Sequence, residues 1–275
     1  MCGGSRSDGS LGKVGPARCM VVTDFCSSVL NGANFVKNLR GRSFFVVAIL
    51  AVFSGSVTVG GQEGDFLAQY KGKPYQDSRY QGGAQAIPGK LMCAYYDLGG
   101  EGVAYHDSDA KNNGSGALNP ADGTYLNEFR MNEGVDTSYT KFGKNPQIDD
   151  NPYNKVAPPA NLLYVGWTVP GEWFNVTVNV AETGEYAADL LYTSNRGGSI
   201  SLDVNGKPAT GPLTIASTAD AAEPVAWRQW HHWNLAPGIA KVHLQKGKSV
   251  LTLHIMTEGQ MNLATFDFRK APAVR

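Results

Sequence analysis

The segment WRQWHHW, Trp227 to Trp233, sets three indoles within seven residues. Two more, Trp167 and Trp173, flank the Pro170–Gly171 turn, so all five tryptophans of the chain lie between positions 167 and 233. An indole has a broad apolar face and a polar N–H at its edge. The C–H faces of a pyranose stack on such a surface while side-chain amides bind its hydroxyls. Alternation buries some of this set. Gly and Pro neighbours, however, place Trp167 in a loop, and Pro224 places Trp227 near one. These indoles are candidates for contact with sugar.

Other chemistry has weaker support. The five histidines, His106, His231, His232, His243 and His254, show no HExxH or similar metal-ligand spacing. No G-x-S-x-G elbow is present. The HDSD stretch, His106 to Asp109, could ligate a metal, although short His/Asp clusters in loops are common as solvated charge. Paired carboxylates would suit a glycosidase, and Glu128, Glu133, Asp136, Asp149 and Asp150 lie in one long polar stretch. Spacing alone does not bring any two of them across a sugar. With 24 basic and 24 acidic side chains the chain has no net charge, which argues against a nucleic-acid partner.

The elements that must position these residues read as strands. Phe174, Val176, Val178 and Val180 alternate with Asn175, Thr177 and Asn179. The same period recurs at Tyr186 to Tyr192, Ile200 to Val204 and Leu251 to Ile255, with turns at Asn205–Gly206 and Lys246–Gly247–Lys248. Many short strands without a long helical pattern predict an all-β, antiparallel β-sandwich (jelly roll) of roughly eight to ten strands. Residues 105–162 form a long loop insert whose turn residues argue against regular elements. Its aromatics, including Tyr125, Phe129 and Tyr139, favour an ordered surface loop.

Residues 36–61 carry a basic flank (Lys37, Arg40, Arg42), the apolar run from Phe44 to Phe53 and a small-residue tail. That is the pattern of a secretory signal peptide, and the run is shorter than the ~20 residues a membrane span needs. Residues 1–35 are expected to be an untranslated or disordered extension, with translation starting at Val36 or Met20. Residues 62–73 read as a linker and 74–270 as the module. Cys2, Cys19 and Cys26 lie upstream of the leader, so Cys93 alone would remain in an exported chain without an intramolecular disulfide.

The stretches GKLMCAYYDLGGEGVAYHD, YVGWTVPGEWFNVTVNVAETGEY, WRQW and NLATFDF, spread from about Pro74 to Arg269, resemble family 6 carbohydrate-binding modules, with family 35 modules close behind. The resemblance implies a β-sandwich with a site in the loops at one end. There Trp167 and Trp227 take the places of the gripping aromatic pair. Asn262 takes that of the asparagine that fixes hydroxyls, while Glu172 helps orient the site or supports its loop. Trp173 reads as structural. The family's structural calcium ligands correspond to Met92, Ala94 and Ala264, none of which supplies a side-chain oxygen. No cofactor is therefore expected.

The function expected is that of a secreted (extracellular or periplasmic), non-catalytic protein that binds plant or microbial polysaccharide, alone or docked on a separate polysaccharide-degrading enzyme, with no membrane partner in the mature form. Two alternatives remain open at this point. One is a glycoside hydrolase using carboxylates of the 105–162 insert. The other is an adhesion module that binds protein.

Overall fold

The structure is a computed structural model and describes residues 66–257 and 260–272. The leader at 36–61, the extension at 1–35 and Cys2, Cys19 and Cys26 lie outside them. No helix among the described residues is long and apolar enough to cross a membrane.

Two sheets form the body. The first runs β1 (Gln85–Ile87), β8 (Trp173–Val180), β14 (Gly247–Ile255), β10 (Gly198–Val204), β11 (Lys207–Pro208), with β12 (Leu213–Ile215) on β10 and β3 (Tyr105–His106) on β8. The second runs β13 (Asn234–Leu244), β9 (Gly184–Ser194), β15 (Met261–Lys270), β7 (Leu163–Val165), β6 (Thr137–Tyr139), with β2 (Gly89–Met92) on β15. A small pair, β4 (Ser115–Gly116) and β5 (Asn119–Pro120), stands apart. The long strands pair antiparallel; β1 on β8 and β4 with β5 are parallel. This is the all-β sandwich expected from the alternation.

Period two sets the core. Phe174, Val176, Val178 and Val180 of β8, with Leu251, Leu253 and Ile255 of β14, face Tyr186, Ala188, Leu190 and Tyr192 of β9 and Phe266 and Phe268 of β15. The polar face of β8 is covered as well. The buried Asp97 carboxylate accepts bonds from Thr177 N at 2.8 Å, Thr177 Oγ1 at 2.6 Å and Tyr70 OH at 2.7 Å. Packing against the sandwich therefore reaches back to Tyr70, within the stretch expected to be linker.

The insert differs from the expected surface loop. It contributes β3 to β6 and a second small core, in which Phe129 packs with Tyr75, Ala94 and Leu163 under Tyr80, Tyr95 and Tyr125. Strand β6 extends the second sheet through its pairing with β7. Turn-rich sequence hid this because the segment is held by side-chain bonds rather than by a repeating ladder. Asn112 shows how: its Oδ1 accepts from Gly114 N, Ser115 N and Thr137 N, while Nδ2 donates to Val135 O and Thr137 Oγ1.

Trp173, read as structural, is not part of the buried core. It opens β8 half-buried, beside Phe66, Tyr70 and His254 in a shallow recess. The fully buried indole is Trp233. Phase explains the difference, since Trp173 is one residue out of step with Phe174 and faces away from the sheet interface.

Candidate functional site: an aromatic cleft at one end of the sandwich

Strand β15 supplies the floor. Asn262 lies opposite Thr193 of β9, and both side chains reach the same acceptor. Asn262 Nδ2 and Thr193 Oγ1 each donate to the carbonyl oxygen of Trp230 at 2.7 Å. The sheet thus clamps the end of a 3-10 helix, Ala226–Trp230, that carries Trp227 and Trp230. The other amide atom of Asn262, Oδ1, has no protein partner among the described residues and borders the cleft.

The loop after β7 forms one wall. Gly166 N donates to Asp136 O at 2.9 Å, and Trp167 follows with a φ of 49°. A left-handed backbone at a bulky residue is costly and is held here by its surroundings. A Cβ at Gly166 would come within 2.7 Å of Asn262 Oδ1, so glycine allows the loop to rest on the floor. The Trp167 ring lies against Gly114 of the insert, where an added Cβ would sit 3.0 Å from Trp167 Cζ3 and 2.1 Å from Thr137 O.

The 3-10 helix forms the facing wall. Arg228 anchors it by donating Nε and Nη2 to Glu223 at 2.6 and 2.8 Å and Nη1 to Gln147 O at 3.1 Å. The paired guanidinium holds the Glu223 carboxyl down to about 2. His232 Nε2 shares a hydrogen bond with the same carboxylate at 3.0 Å.

The insert closes the third side with Leu118, Ser138, Tyr139, Lys141 and Ile148. Its buried Asp149 ties this side to the helix wall. Asp149 Oδ1 accepts from Trp233 Nε1 at 2.6 Å and contacts His231 Nδ1 at 2.9 Å, while Oδ2 accepts from Lys141 N at 2.7 Å.

The result is a cleft of about 900 Å³. Trp167, 40% exposed, and Trp227, 45% exposed, both line it. Buried aromatics of a core do not show such surface. Leu118 and Val169 add exposed apolar rim. Thr168, Trp230, His231, Gln260 and Asn262 supply polar groups. Trp167, Trp227 and Asn262 are thus brought together, and Glu172 is not among the lining residues. Its carboxylate accepts from Val169 N at 2.8 Å and Ser108 Oγ at 2.7 Å, which fixes the Trp167 loop from behind. Sequence reasoning missed the insert's contribution, Tyr139 and Lys141 above all. The only available signal was the insert's aromatic content.

None of the five insert carboxylates singled out in the sequence lines the cleft, and each is engaged by protein donors. Glu128 accepts from Gly123 N, Glu133 pairs with Arg130 at 2.7 Å, Asp136 accepts from Asn113, Asp150 accepts from Gly143 N and Ile148 N, and Asp149 makes the contacts above. The HDSD stretch lies behind the Trp167 loop. His106 contacts Glu101 rather than joining its aspartates. No group of three or more His, Cys, Asp or Glu side chains among the described residues has an arrangement that could hold a metal ion. At the three positions that the family resemblance assigns to calcium ligands, Ala94 and Ala264 are buried in separate apolar clusters and Met92 carries a thioether, side chains that do not fit calcium.

No protein-family model matches the chain, and no curated protein matches it. Solved structures similar to it include a family 35 carbohydrate-binding module from Clostridium thermocellum, 20% identical over 43% of this chain and 84% of that one, with a TM-score of 0.34. A β-1,3-glucan binding family 6 module from Bacillus halodurans is 16% identical over 68% of this chain and 98% of that one, at 0.37. A family 43 arabinoxylan arabinofuranohydrolase from Bacillus subtilis is 13% identical over 68% of this chain and 28% of that one, at 0.39.

Proposed function

We propose that this chain is a non-catalytic carbohydrate-binding protein of the family 6 type, which grips a polysaccharide between Trp167 and Trp227 over Asn262. The observation that carries the reading is the pair of two-fifths-exposed indoles lining one cleft whose floor presents an open amide oxygen. The indole faces would take the C–H faces of sugar rings, and Asn262 Oδ1 would accept from a hydroxyl. The absence of any Asp or Glu from the cleft lining among the described residues supports binding without turnover. The basic, apolar and small-residue order of 36–61 supports secretion. A separate polysaccharide-degrading enzyme is the natural companion of such a module.

The test is a glycan array and calorimetry on the purified protein, with Trp167→Ala and Trp227→Ala beside it. Binding that both variants weaken supports the reading. Reducing-sugar release from a bound polysaccharide would move the protein to the hydrolases, and capture of protein with a flat glycan screen would make it an adhesion module.

A further inference from the structure

The cleft has a charge that stacking on neutral sugar does not use. Among the described residues no Asp or Glu lines it, and Lys141 does. The Lys141 ammonium is half-buried between the Asn119 amide oxygen, to which it donates, and the Tyr139 ring, whose centroid is 4.9 Å away. No carboxylate among the described residues lies within ion-pair distance of it. Asp149 receives the Lys141 backbone N–H, and its oxygens already serve Trp233 and His231. Burial destabilises the charged form of Lys141, so its pKa is lowered, with Asp149 only partly opposing the shift. A cation held this way, with N–H groups left over and no carboxylate among the described residues at ion-pair distance, can take a further anionic partner. His231 lines the same cleft, and its Nε2 has no protein partner among the described residues.

The geometry points to a glycan bearing an anionic substituent, a uronate carboxylate or a sulfate ester, as the ligand of this cleft, with Lys141 as the residue that selects it. This rests on the sugar-binding reading and narrows it. The rings stack on Trp167 and Trp227 while the substituent lies toward the insert and meets the ammonium. A charge-assisted hydrogen bond in a partly desolvated site is stronger than its neutral counterpart. Preference for the acidic polymer over its neutral form is therefore expected to be roughly tenfold or more, and to shrink as salt rises.

The experiment measures binding of the full chain to matched pairs: a uronate-bearing polysaccharide and its carboxyl-reduced form, and a sulfated galactan and its desulfated form. Loss of binding on carboxyl reduction identifies a uronate, and loss on desulfation a sulfate. Lys141→Met should erase the preference, so that both members of a pair bind alike, and Lys141→Arg should keep it. Equal binding of both members by the wild type, with Trp167→Ala still weakening both, overturns the charge selection and leaves the sugar cleft standing. Failure to bind any member of the panel overturns both readings. A folded Lys141→Met variant, checked by its melting curve, that keeps the preference overturns the role of Lys141.

Discussion

The side-chain amide of Asn262 donates to the carbonyl oxygen of Trp230 at 2.7 Å. One residue therefore both borders the cleft and clamps the helix that carries Trp227. Asn262→Ala should weaken glycan binding and also lower the melting temperature. The lost bond is worth roughly 0.5–1.5 kcal/mol, with Thr193 still holding the same carbonyl. Calorimetry and thermal unfolding on the same preparation check this. An unchanged melting temperature would reduce Asn262 to a contact residue.

Trp167 and Trp227 project from walls fixed by other groups. Removing either indole should cost roughly 1–3 kcal/mol of binding, by analogy with base stacking. That corresponds to about a tenfold to hundredfold loss of affinity, with little change in melting. Unfolding of either variant, or glycan affinity that stays at the wild-type level, contradicts the cleft assignment.

Trp233 and Trp173 should behave in opposite ways. Trp233 is fully buried with its N–H on Asp149, so Trp233→Ala should destabilise by roughly 3–5 kcal/mol as a core truncation. It also leaves the Asp149 carboxylate one donor short. Half-buried Trp173 should cost clearly less. Denaturant midpoints of the two variants decide the order, and equal losses would refute it.

Behind the Trp167 loop, Asp107 and Asp136 are pushed up to about 7 and about 6, chiefly by burial and then by neighbouring charge that includes Glu172 and Asp109. The unfolded carboxyls titrate near 4. Between about pH 4 and 7 the folded chain therefore binds more protons than the unfolded one, and these groups make stability fall as pH rises through that window. Glu223, held low by Arg228, acts oppositely, but only below its unfolded value of 4.5. Melting should occur at a higher temperature at pH 5 than at pH 8. Asp107→Asn should raise melting at pH 8 and change little at pH 4. A variant that melts lower at pH 8 would show that the charge of Asp107 serves the fold.

A chelator should leave the melting temperature unchanged, because Met92, Ala94 and Ala264 offer no side-chain oxygen. Differential scanning calorimetry with and without chelator is sufficient. A large drop that calcium reverses would send attention to Asp107, Asp109 and Asp136.

The sandwich was legible because period-two alternation is local. Val176 and Leu253 need only their own strand's pleat to be assigned inward. Gly and Pro neighbours, equally local, placed Trp167 in a loop and Trp227 near one. It could not rank the indoles, since burial of Trp233 and exposure of Trp227 depend on which neighbours arrive from elsewhere. Asp149, 84 positions away in sequence, receives the Trp233 N–H.

The sequence by itself determined the all-β layers, the loop position of Trp167 and the lack of side-chain oxygens at Met92, Ala94 and Ala264. Each follows from residue type and near neighbours. Tertiary structure alone decided that the 105–162 insert is the cleft's third wall, that Glu172 supports a loop rather than lining the cleft, and that Lys141 stands in the cleft with no carboxylate among the described residues at ion-pair distance. These relations join segments distant in the chain, through side-chain hydrogen bonds and aromatic packing that have no repeat to betray them. A one-dimensional pattern records periodicity, whereas a binding site is a convergence of directions in space.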